Sequence, residues 1–191
     1  MQEYVVKRYS FEELAPEAQE KAIKWAQDRL LEDEYLWMSE NLREFAAREL
    51  RGGELGDHSL PLQLDLYYSL SWSQGDGVCF AGRLEREYAP LLTWPEKAVS
   101  AYLKHVGHYY HEKSFTLELV DEEGEEITEG AELLLEQLRG VCRETERHGY
   151  KCLMAATTEA EAREYLINNC ADELTEFGSY DPLYNCEKVN A

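Results

Sequence analysis

Two short stretches gather the side chains most able to do chemistry. The first, "SWSQGDGVCF", brings Ser71, Ser73, Gln74, Asp76 and Cys79 within nine positions. The second, "HVGHYYHEKS", holds His105, His108, His111 and Glu112. A histidine beside a carboxylate can move a proton near neutral pH or recognise a charged partner. A His-x-x-His-Glu run also raises the question of a metal, and its spacing argues against one. On a strand, His108, Tyr110 and Glu112 share one face while His111 points the other way with Tyr109 and Phe115, so one ion cannot collect both histidines. The helical H-E-x-x-H arrangement of zinc enzymes is absent. The expectation is a hydrogen bond between His108 or His111 and an acidic group, with no metal site and no cofactor.

In the first stretch, Asp76-Gly77 is a favoured pair for a type I′ hairpin turn, in which both central residues take positive φ, and Gly75 adds room for a bulge. The polar approach of Ser71, Ser73 and Gln74, beside Tyr67 on the exposed face, is left over from that account. The triplet is neither a phosphate-binding loop nor a dinucleotide fingerprint, because the strand–loop–helix setting and the lysine are missing. Neither serine sits in a G-x-S-x-G elbow. Cys79, on a strand after the turn, reads as a small core residue rather than a thiolate.

The elements around these stretches set the fold class. "EYVVKRY" reads as a short strand. Ser10 with Glu13 forms a capping box, Pro16 opens the main helix, and a second helix, "LWMSENLREFAAREL", runs to Gly52–Gly53. "LPLQLDLYYSLSW" alternates cleanly: Leu62, Leu64, Leu66, Tyr68, Leu70 and Trp72 point one way, and Gln63, Asp65, Tyr67, Ser69 and Ser71 the other. "VCFAGRLERE" returns as its hairpin partner. "TWPEKAVSAYLKHVG" reads as a helix from Pro95 to Gly107, and "HYYHEKSFTLELVD" as a third long strand closed by the acidic turn "EEGEE". A long helix carries Leu134, Leu138, Val141 and Cys142. Thr158 with Glu161 opens another helix, and "DELTEF" reads as a last short strand. The predicted architecture is α+β: a mostly antiparallel sheet with a central hairpin and helices mainly on one face, formed as a single domain over 1–178 and followed by an irregular tail over 179–191.

Charge narrows the function. Of 191 residues, 19 are basic and 39 acidic, a formal net charge of −20. Such a field repels nucleic acid and anionic lipid and attracts a basic protein. The five cysteines form no C-x-x-C pair, no apolar run is long enough to span a membrane, and the N-terminus shows no signal-peptide core, so a reduced, cytoplasmic setting is expected.

Four stretches in the same order, "YSFEELAPEAQEKA", "YYSLSWSQGDGVCFAG", "GHYYHEKSFTLEL" and "LINNCADELTEFG", resemble a family of small proteins from bacteriophages and mobile elements, some labelled as antitoxins of toxin–antitoxin systems. The resemblance covers most of the chain up to about Gly178. Its specific parts are Ser73, Gly75, Asp76, Gly77 and Phe80, then Tyr109, Tyr110, His111 and Glu112. The chain departs from it in a longer "RGGELGDHSLP" and in "GVCRETERHGYKCLM", which lacks an aromatic-rich helix, and the tail "SYDPLYNCEKVNA" has no counterpart. The resemblance implies a phage-borne accessory protein in the cytoplasm of the host cell and supplies no reaction.

Two expectations follow. In the first, the chain is an acidic binding protein of the anti-CRISPR, anti-restriction or antitoxin kind, which occupies the nucleic-acid-binding surface of a basic host or toxin protein. Its contacts would be Tyr67, Trp72, Ser73, Gln74, Asp76, Tyr110, His111, Glu112 and the turn carboxylates Glu122, Glu123, Glu125 and Glu126. In the second, it is a small hydrolase or modifying enzyme acting on a nucleotide signal or a defence protein, with Asp76, His111 and Glu112 converging from neighbouring strands.

Overall fold

The computed structural model describes residues 8–52, 59–170, 174, 175 and 178. Among them the chain is α+β. Helices α1 (Pro16–Arg51), α2 (Ala131–Ala156) and α3 (Glu159–Asn169) accompany strands β1 (Leu64–Ser69), β2 (Gly77–Glu85), β3 (Ser100–His105), β4 (Phe115–Val120) and β5 (Glu126–Ile127). The chain divides into two compact units, residues 37–151 and the segments 1–36 with 152–191.

In the unit built from the two ends of the chain, the Ser10 amide donates to Glu13 Oε2 at 2.9 Å and Pro16 starts α1, as the capping pattern requires. Small residues on α1 (Ala18, Ala22, Ala26), together with its Ile23, pack closely with Phe11, Leu14, Ala162, Leu166, Cys170 and Leu174. Thr158 caps α3 by accepting from the Glu161 amide. The expected first strand lies mostly outside the described residues; Tyr9 pairs with Leu174 in an isolated antiparallel bridge. Of "DELTEF", Leu174 and Thr175 are described, and the tail over 179–191 lies outside them.

The central unit is a meander: β1 to β5 pair in chain order, every pair antiparallel. One face is apolar and buried through Leu64, Leu66, Val78, Phe80, Leu84, Ala101, Leu103 and Leu119. The other exposes Asp65, Tyr67, Tyr102, Lys104 and Glu118. At Gly149 the absence of a Cβ brings Leu70, Leu42 and Met38 against α2, so the two helices and the end of β1 meet there. Phe45 of α1 stacks on His148 of α2 with ring centroids 4.2 Å apart.

Three expectations give way here. The two N-terminal helices are one, because "LEDEYLWM" contains no residue that breaks a helix. The predicted helix over 95–107 is instead a turn followed by β3, whose Ala101 and Leu103 are buried between β2 and β4 while Tyr102 and Lys104 face water. Pairing with β4 along its length and with β2 over Ser100–Leu103 satisfies most of this strand's backbone groups, which overrides the Pro-to-Gly punctuation of a helix. The third long strand shrinks to Phe115–Val120, and residues 106–114 form an irregular connection. At the end of α1 the expected cap is met by Gly52 at φ 88°, its amide bonded to the Arg48 carbonyl; Gly53 lies outside the described residues.

Candidate functional site

In an antiparallel meander, alternate connections fall at the same end of the sheet. The β1–β2 connection (70–76) and the β3–β4 connection (106–114) therefore share one end, and the β4–β5 turn sits at the other. Both chemistry-bearing stretches come together at that first end. They do so through loops rather than through adjacent strands as expected, since β3 separates β2 from β4.

The β1–β2 connection is not a type I′ turn. Gly77 has positive φ but Asp76 does not, and the reversal is a wider loop closed by the Asp76 amide on the Ser73 carbonyl. Its organiser is the Asp76 carboxylate, 7 % exposed. Oδ1 accepts from the hydroxyls of Ser69, Ser71 and Ser73 at 2.9, 2.9 and 2.8 Å. Oδ2 accepts from the Ser71 and Ser73 amides at 2.6 and 2.8 Å and from the Tyr150 hydroxyl at 2.6 Å. Burial alone would raise its pKa, but the hydrogen bonds from Tyr150, Ser73 and Ser71 outweigh that and hold the carboxyl far below the usual carboxylate range. Tyr150 is pushed the other way, by burial and then by its bond to Asp76. A carboxylate so stabilised as the anion is a poor proton acceptor.

The two amides held by Oδ2 flank Trp72, and Trp72 has φ 55°. It is the one non-glycine residue with positive φ among those described. A bulky residue in that region is strained and persists only where its surroundings over-determine it. The indole is 59 % exposed and touches Tyr150 with ring centroids 5.4 Å apart. The alternation that would point Trp72 with Leu66 stops at Ser69, where β1 ends.

The β3–β4 connection packs directly on this loop. A Cβ at Gly75 would stand 2.2 Å from the Tyr109 ring, and one at Gly77 would meet the Tyr110 carbonyl at 2.7 Å and His111 Cα at 3.0 Å. Tyr110 stacks on Tyr67 (5.5 Å, 20°), and His105 closes the group, with its Nε2 near the Tyr109 carbonyl at 3.2 Å. His111 Nδ1 lies 2.6 Å from Glu112 Oε2, so of the two histidines expected to meet an acidic group it is His111 that does. Gln74, Tyr109, His111 and Lys113 line a small cleft beside it. Cys79 is buried, and its thiol is pushed up to about 11, as suits a core residue.

Two residues of this end were not anticipated, Glu146 and Tyr150. They extend the i, i+4 stripe of Leu138 and Cys142 along α2, so a polar pair continuing an apolar stripe was the available signal. Glu146 Oε2 sits 3.6 Å from where a Gly77 Cβ would be. Its carboxyl is raised by burial and by the charges of Glu112 and Asp76, against a lowering by His111. Glu122, Glu123, Glu125 and Glu126 are all exposed at the opposite end of the sheet. Among the described residues, no three His, Cys, Asp or Glu side chains group to hold a metal ion, and no helix is long and apolar enough to cross a membrane.

The fold and this site define an α+β protein whose sheet end is a serine–aspartate knot carrying exposed aromatic rings. Comparison with protein-family models, with curated proteins and with solved structures gives no match.

Proposed function

We propose that the chain is an acidic binding protein of the antitoxin or anti-defence kind, carried by a phage or mobile element and acting in the host cytoplasm. It neutralises a basic host or toxin protein by occupying the surface that protein uses for nucleic acid. The observation that carries this reading is the use made of Asp76. The most chemically suggestive carboxylate in the chain spends all its acceptor capacity on fixing a loop that holds Trp72 out toward solvent. Rigid aromatic side chains presented this way are the residue types that anchor protein interfaces, and fixing them beforehand lowers the entropic cost of association. The charge of −20 supplies long-range attraction to a cationic surface.

The His111–Glu112 pair favours a second reading, an enzyme acting on a nucleotide signal or a defence protein, with Asp76 as a positioning residue. The tagged chain, incubated with nuclease-treated host extract, separates the two. Under the binding reading, a nucleic-acid-binding protein is retained at low salt, released at high salt, and lost when Glu122, Glu123, Glu125 and Glu126 are all changed to Lys. Retention indifferent to salt and to these changes overturns it. Loss of biological effect in His111→Ala with capture intact points to the enzyme.

A further inference from the structure

We propose that the aromatic end of the sheet receives arginine side chains of the partner, their guanidinium groups lying on the exposed ring faces, with Glu146 as the carboxylate at the same end. This rests on the reading that the partner is basic, and it names where and by what chemistry that partner is gripped. Three aromatic rings elsewhere in the chain lie under an arginine, though exposed Trp37 does not. Arg51 lies over Tyr88 at 5.0 Å, Arg83 over Tyr102 at 5.5 Å and Arg163 over Phe11 at 5.5 Å. At the sheet end Tyr67, Trp72, Tyr109 and Tyr110 are exposed, and no arginine of the described residues covers any of them.

Charge points the same way. Glu146 makes no hydrogen bond or ion pair with a described residue, whereas its helix neighbours Glu136 and Glu144 are paired with Arg143 and Arg147. It stands beside Glu112 and Asp76, whose charges oppose its ionisation, while His111 and Arg147 act in the other direction. An incoming cation relieves that repulsion. Arginine suits the site better than lysine because its planar, weakly hydrated group stacks on a ring and can bond a carboxylate at the same time. The strain at Trp72 then has a use, since it fixes one ring where a guanidinium can lie flat against it.

The test uses the full chain and two fluorescent probes of equal charge, octa-arginine and octa-lysine, at low salt. Octa-arginine is expected to bind about five-fold more tightly, the ratio that one or two exposed cation–π contacts provide. Trp72→Gly removes the ring while easing the backbone, and Tyr109→Ala removes a ring that is 65 % exposed, so neither should unfold the chain. Together they should abolish the preference, and Glu146→Gln should weaken octa-arginine alone. Equal affinity for the two peptides, or a preference that survives the double substitution, overturns this inference and leaves the acidic-binder reading in place. Failure of both peptides to bind removes the reading itself.

Discussion

Each end of the sheet is organised by one aspartate, and the two aspartates are spent differently. At the far end Asp121 Oδ1 accepts from the Glu123 and Glu125 amides at 3.1 and 2.8 Å, and the turn closes with the Asp121 amide on the Glu125 carbonyl. Gly124 supplies the positive φ at 85°. Asp121 is half-buried, and water can reach the groups it holds. At the near end Asp76 does the same local job on the Ser71 and Ser73 amides, but it is buried and takes four more donors from hydroxyls, one of them 74 residues away. The far turn holds itself and turns its glutamates outward. The near loop is held by the core and turns its aromatic rings outward. One aspartate–amide motif thus serves a charged, water-exposed surface at one end and a fixed aromatic one at the other.

The sharpest way to break this contrast is to remove the buried acceptor. Asp76→Ala removes all six hydrogen bonds of a buried carboxylate and leaves the half-buried Tyr150 hydroxyl without its partner. The amides of the exposed Ser71 and Ser73 can turn to water, so the change should cost about 2–3 kcal/mol in chemical denaturation. Asp76→Asn should cost less, because the three serine hydroxyls can rotate to accept from the new amide. The pH dependence checks the cause. Because the folded-state pKa of Asp76 lies below its unfolded value, its stabilisation is complete above the ordinary carboxylate pKa of about 4. It is lost as pH falls toward the folded-state value. The gap between wild type and Asp76→Asn should be flat from pH 5 to 8 and narrow below about pH 4. A gap that narrows instead toward alkaline pH would place the stabilisation elsewhere.

The matching change at the far end sharpens the comparison. Asp121→Ala removes two hydrogen bonds from a turn whose amides water can solvate, so about 0.5–1.5 kcal/mol is expected. Exchange of the Ser71 and Ser73 amides, followed by NMR, should be unchanged in this variant and greatly accelerated in Asp76→Ala. Comparable losses in the two variants would mean that depth does not separate the two turns.

How far these ends were legible follows from where their information lies. The clean alternation of Leu64 to Tyr68 and the return through Val78 and Phe80 made the hairpin readable, because period two and burial agree there. The His111–Glu112 pair was readable as chemistry, though not as geometry. What stayed hidden is nonlocal. The "SAYLKH" strand carries the right alternation but sits between Pro95 and Gly107, and only its pairing with β2 and β4 decides against a helix. The knot was hidden for the same reason: serines and an aspartate near a Gly pair describe a turn equally well, and Tyr150, which closes the network, arrives from a helix far along the chain. Trp72 joined the apolar alternation on paper; the loop that breaks it is dictated by the Asp76 contacts.

Glu146 gives the smallest effect and the most telling one. Burial, then the charge of Glu112, raises its carboxyl, so the folded chain disfavours the ionised form. The sign runs opposite to that of Asp76: stability is lost as pH rises through the ordinary glutamate value and up to the raised one. Glu146→Gln should therefore match wild type at acid pH and exceed it at neutral pH, by less than about 1 kcal/mol for a partly solvated group. The same substitution should weaken octa-arginine binding. A side chain whose removal steadies the fold and costs the interaction is held for a partner, as destabilising groups at functional sites commonly are. If Glu146→Gln instead destabilises the chain at pH 7, the carboxylate is part of the scaffold, and the near end of the sheet has its cation already.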